Sequence, residues 1–125
     1  MSRVRNSFMK GGALVAALLL LSGCASGPSV TPTGNTTEVT VTVDGMRFVP
    51  DVVEVPVGDE LVITFENTGT EVHDLTLENG KSSARLMPDE TEVIDAGIIA
   101  EDLDGWCSVS NHRAMGMELT VRAVG

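Results

Sequence analysis

The chain has 125 residues, 42% of them hydrophobic, enough for one domain with a buried core and too few for several. Its formal net charge is −10, from 8 basic residues against 18 acidic ones. That balance argues against a nucleic-acid partner, because phosphate contact needs clustered Lys and Arg, and leaves solubility or a basic protein partner as its meaning.

At the N-terminus, Arg3, Arg5 and Lys10 precede an apolar run from Gly11 to Leu21. The run is too short to span a bilayer as a helix, which takes about 20 residues. A basic start followed by a short apolar core has the pattern of a signal peptide, here residues 1–23. The core ends in Leu21-Ser22-Gly23-Cys24. This resembles the bacterial lipobox, in which the cysteine is acylated and becomes the first mature residue. Residues 24–36 then read as the lipidated Cys24 and a flexible tether rich in Ser, Gly, Pro and Thr. Without the leader, 5 basic residues face 18 acidic ones, a net charge of −13. Lipid on Cys24 leaves Cys107 with no disulfide partner, so an exported chain needs something else to occupy its sulfur.

The domain proper, residues 37–125, reads as a succession of short strands. Thr37 to Val43 alternates, with Val39, Val41 and Val43 on one face. Asp44-Gly45 is a tight-turn signal. Met46 and Phe48 resume the alternation until Pro50, and Val52 to Val55 is a further extended piece. Glu60 to Glu66 is a strand with Leu61, Ile63 and Phe65 inward. His73 to Glu78 is expected to be a strand with His73, Leu75 and Leu77 on one face. Glu90 to Asp95 is expected to bury Val93 and Ile94, and Ile98 to Asp104 to hold a short helical turn. Met117, Leu119, Val121 and Ala123 share the inner face of a last strand. Short strands separated by regular turn signals argue for an all-β sandwich or barrel.

The chemistry is concentrated between Trp106 and Met117, where the spacing is Cys-x4-His-x4-Met. A thiolate, an imidazole and a thioether form the donor set that soft transition metals prefer, copper above all. The one other histidine of the chain is His73. The residues therefore point to a mononuclear copper site with His73, Cys107, His112 and Met117 as ligands, Met115 being the alternative thioether of the same parity.

With these motifs assembled, residues Thr37 to Gly125 resemble a cupredoxin, the small blue copper fold of plastocyanin and azurin type. The resemblance rests on Val57-Gly58-Asp59, Phe65-Glu66-Asn67, His73-Asp74-Leu75 and the Cys107-to-Met117 segment. It implies a Greek-key β-sandwich, with His73, Cys107 and His112 as equatorial ligands and Met117 as the weak axial one. It also implies a second layer in which Asp74 accepts a hydrogen bond from Ser108. The chain departs from the pattern at Ser110-Asn111, where relatives often have Pro-Gly, and in having Trp106 directly before the cysteine. It has no His-x-His pair and no histidine to spare for a second copper centre, so no catalytic step is expected.

The expected function is one-electron transfer by a monomer held by lipid on the outer face of a bacterial membrane. Its partner would be a redox protein, with the exposed edge of His112 as the port and Val109, Ala114, Met115 and Gly116 as its collar. The rival readings are a copper carrier or copper-resistance lipoprotein without an electron-transfer role, and a metal-free assembly module.

Overall fold

The computed structural model describes residues 29–125. The leader, Cys24 and the first part of the tether lie outside the described residues. Among the described residues no helix is long and apolar enough to cross a membrane.

Among the described residues eight strands form two sheets. The first has the order β2-β1-β4-β6, built from β1 (Thr36–Asp44), β2 (Arg47–Val49), β4 (Glu60–Glu66) and β6 (Thr91–Ile98). The second has the order β3-β8-β7-β5, built from β3 (Val52–Pro56), β8 (Glu118–Val124), β7 (Leu103–Trp106) and β5 (Thr76–Leu77). Each sheet is mixed, with one parallel pair, β1 with β4 and β3 with β8. The all-β sandwich expected from the alternating pattern is therefore the observed architecture. Val41, Ile63, Phe65 and Ile94 from one sheet meet Val53, Val55, Leu119 and Val121 from the other in a single core. Phe48 and Phe65 contribute an edge-to-face pair with centroids 5.8 Å apart, worth about 0.5–1.5 kcal/mol beyond simple burial.

The start of the domain is tied down by one buried acid. Asp59 accepts hydrogen bonds from the hydroxyls of Thr33 (2.6 Å) and Thr37 (2.8 Å). The ordered edge thus includes Thr33 to Asn35, ahead of the first alternating residue.

Three local expectations are corrected. Val93 is 62% exposed while Ile94 is buried; adjacent residues of a strand point to opposite faces, and Ala96 is the inward partner of Ile94. The acidic stretch after Ile98 holds no helical turn. β6 runs through Ile98, Ile99 is buried, and β7 begins at Leu103. The strand expected over His73 to Glu78 shrinks to Thr76–Leu77. His73 makes only an isolated bridge to Leu86, and the Leu75 N–H donates to the Ser83 hydroxyl at 3.0 Å in place of a ladder bond. His73, Leu75 and Leu77 are nevertheless all buried, as their shared parity requires.

Candidate metal centre

β7 ends at Trp106 and delivers Cys107 to one end of the sandwich. The chain then closes a compact loop. The His112 N–H donates to the Val109 carbonyl at 3.1 Å, and the Met117 N–H to the His112 carbonyl at 3.1 Å. The Cys107 N–H donates to the Met117 carbonyl at 3.2 Å, which pins the two ends of the loop together. A single 3-10 turn, Arg113–Met115, lies between the histidine and the methionine, and Gly116 ends it at φ 100°. Ser110 takes φ 48°, so the Ser-Asn turn forms at the modest cost of a left-handed residue.

Met117 has no exposed surface and Met115 is 56% exposed. Packing thus separates two methionines that parity alone leaves equivalent, and only Met117 lies inside.

His73 reaches the site from the loop after β4. Asn67 organises that loop. Its amide donates to the carbonyls of Glu71 (2.8 Å) and Leu86 (2.9 Å), and its oxygen accepts from Gly69 N–H at 3.1 Å. Gly69 sits close against the ligand: a Cβ there would lie 3.2 Å from Nε2 of His73 and press on it.

The three donors converge. Cys107 Sγ is 3.6 Å from His112 Nδ1 and 3.9 Å from His73 Nδ1, and all three donor atoms lie within 4.8 Å of one another. An ion bonded to nitrogen at about 2.1 Å and to sulfur at about 2.3 Å, with trigonal angles, requires an N···S edge of roughly 3.8 Å. The observed edges match that. The donor set of two imidazoles, a thiolate and an inward thioether fits a single copper ion. It suits zinc less, because a structural zinc site completes its tetrahedron with Cys, His or carboxylate rather than thioether.

The surroundings favour the neutral forms of His73 and Cys107 in the metal-free site. Burial, reinforced by the neighbouring His112, pushes the His73 ring below its ordinary pKa, and Glu71 and Asp74 offset part of this. Burial also pushes the Cys107 thiol up. A metal must displace that thiol proton, so uptake is coupled to proton release.

Behind the ligands, Asp74 is buried. Its carboxylate accepts from the Ser108 N–H at 2.6 Å and, through its other oxygen, from the Ser108 hydroxyl. The residue after one ligand is thereby joined to the residue after another, and the two ligand segments move as a unit. The Trp106 ring lies against a cation. The Arg113 guanidinium stacks 4.2 Å from its ring centroid, and Arg113 Nε meets Glu118 at 3.1 Å. Arg113, a base beside the site, is thus already paired.

Sequence reading missed Asn67 and Ser83 as the residues that shape the His73 loop. Asn67 directly follows a strand ending in Phe65-Glu66, which is a turn signal. Ser83 carries no signal in the sequence.

A cupredoxin-like domain model matches residues 12–101 of the chain. That match ends before Cys107, so the ligand loop stands on its own geometry. No curated protein matches the chain by sequence. In structure the chain is similar to the dithionite-reduced auracyanin of the photosynthetic bacterium Roseiflexus castenholzii, with TM-score 0.63 and 16% identity, over 74% of this chain and 100% of that one. It is also similar to auracyanin A, a "blue" copper protein of Chloroflexus aurantiacus, with TM-score 0.63 and 14% identity, over 72% of this chain and 100% of that one. A further likeness is to the copper-containing nitrite reductase of Thermus scotoductus, with TM-score 0.56 and 20% identity, over 71% of this chain but 23% of that one. At such identities these likenesses concern the fold.

Proposed function

The chain belongs to the cupredoxin-like family, and on that premise we propose that it is a one-electron carrier whose copper is held by His73, Cys107, His112 and Met117. The observation that carries this reading is the convergence of two Nδ1 atoms and one Sγ at 3.6 and 3.9 Å. When bound, copper supplies a one-electron couple between Cu(I) and Cu(II). The residues supply the rest. His73 and Cys107 are each 1% exposed and Met117 is fully covered, so packing fixes them whether or not an ion is present. Ligands that do not rearrange let an electron arrive with little reorganisation. His112, with its side chain 11% exposed, is the ligand that reaches the surface. Val109 beside it is half-buried, and Ala114 and Met115 are exposed. This makes an apolar collar through which a partner comes close to the imidazole edge. The burial of the other donors favours retaining copper over passing it on.

The reading extends to the chain's place in the cell. A leader over residues 1–23, acylation of Cys24 and a tether ending ahead of Thr33, where the ordered edge begins, would hold the copper domain on the extracytoplasmic face of a membrane. Two or more acyl chains anchor stably, at about 0.8 kcal/mol per buried methylene. A mature net charge of −13 favours a redox partner with a basic docking patch.

Stopped-flow oxidation of the reduced, copper-loaded mature chain tests this. The rate with a small basic redox protein should fall as salt is added, because screening acts over about 10 Å at 0.1 M. The rate with an acidic one should rise. Transfer of copper itself to an apo-acceptor faster than electron exchange would show a carrier instead.

A further inference from the structure

The outward edge of His112 is not bare. Its Nδ1 faces Cys107, so a metal held there would bond Nδ1 and leave the ring proton on Nε2, pointing away from the donors. Glu71 Oε2 lies 3.8 Å from that Nε2. The carboxylate is 56% exposed, but its backbone is fixed, since the Glu71 carbonyl accepts from the Asn67 amide at 2.8 Å. Glu71 therefore belongs to the His73 loop and faces the histidine of the opposite segment.

We propose that Glu71 is a positioning and potential-setting residue for His112: its carboxylate faces the Nε2 edge and favours the oxidised state of the site. This rests on the copper reading above. A carboxylate on the far nitrogen of a metal-bound imidazole fixes the ring's tautomer and raises its basicity as a ligand. A fixed negative charge also stabilises whichever state of the site is more positive, which is the oxidised one. The contact is longer than a hydrogen bond and open to solvent, so its effect belongs at the low end of what such outer partners produce.

The test compares reduction potentials of the copper-loaded mature chain carrying Glu71→Gln or Glu54→Gln. Glu54 is an exposed acid on β3, 3.8 Å from Arg122, and its replacement changes the net charge equally. Glu71→Gln should shift the Cu(II)/Cu(I) equilibrium about threefold toward the reduced form, which at about 59 mV per tenfold for one electron is about 28 mV. Glu54→Gln should shift it by less than about twofold. Equal shifts in the two variants overturn the inference. A second readout needs no copper. Nitrogen NMR of the metal-free chain should show His112 as the Nε2–H tautomer, with that preference weakened in Glu71→Ala. An unchanged tautomer balance in Glu71→Ala counts against Glu71 even if the wild type takes up no copper, which would sink the copper reading separately.

Discussion

Between Cys107 and Met117 the chain carries three of the four proposed ligands in one loop, while His73 arrives alone from a segment with almost no regular structure. The first region is fixed by covalent spacing and a few backbone hydrogen bonds that close over short distances. The second is held by side chains reaching across the loop, Asn67 to Glu71 and Leu86, and Ser83 to Leu75. A ligand set split this way makes the loop responsible for donor chemistry and the His73 segment responsible for donor placement. Substitutions that damage placement should therefore cost stability first. Substitutions in the loop should change the metal's properties at little cost in stability.

The largest effect on stability is expected at Asn67. Truncation to Ala removes three hydrogen bonds, only one of them fully buried, while the Leu86 carbonyl keeps the His73 N–H; each lost bond costs about 1 kcal/mol or more. Asn67→Ala should lose about 3 kcal/mol or more in urea denaturation of the metal-free protein, with weaker copper uptake. A loss below about 1 kcal/mol would mean that the loop does not depend on this amide.

Asp74 joins the two regions and comes next. Asp74→Ala removes two hydrogen bonds to a charged acceptor and should cost about 2–3 kcal/mol. Ser108→Ala keeps the bond from its backbone N–H and should cost about 1 kcal/mol. If the two variants are equally stable, the carboxylate is not the stitch between the segments.

Within the loop, Met117→Leu replaces one buried shape by another and should cost under about 1.5 kcal/mol. Its reduction potential should nevertheless rise, because removing the axial thioether disfavours Cu(II). Met115→Leu, at an exposed position, should move stability by no more than about 0.5 kcal/mol and leave the potential in place. The reverse pattern in voltammetry would make Met115 the axial ligand.

The smallest expected effect is that of pH on the metal-free fold. The His73 ring is held below its ordinary 6.5, so the unfolded chain takes up that proton first and stability falls as pH drops below about 6.5. The Cys107 thiol is held above its ordinary 9.0, so the unfolded chain loses that proton first and stability falls as pH rises above about 9. Melting temperatures across pH should show both flanks, and Cys107→Ser should lack the alkaline one.

The same division governs what was legible in the sequence. Strands whose inner residues alternate, such as Leu61, Ile63 and Phe65, were placed almost to the residue, because a period of two leaves one way to bury them. The ligand loop was legible because three donor types fall at regular spacing, although spacing alone left Met115 and Met117 equivalent and packing separated them. The His73 segment was read as too regular. Its alternation was real, but the backbone partners there are Ser83, Leu86 and Asn67, and no local pattern announces bonds to residues so far along the chain. Val93 faces solvent because two neighbouring residues of one strand cannot both face the core, and apolar character alone does not say which of them does. Glu71 carries no distinguishing mark in the sequence, being one exposed acid in an acidic chain until the fold sets it against His112.

The central claim is that one buried thiolate between two imidazoles holds a copper ion, and the absorption spectrum of the copper-loaded mature chain tests it most directly. The oxidised protein should bind one copper and show an intense visible charge-transfer band that disappears in Cys107→Ser, because the band arises at the thiolate sulfur. A colourless wild type, or the same spectrum in Cys107→Ser, would contradict the account.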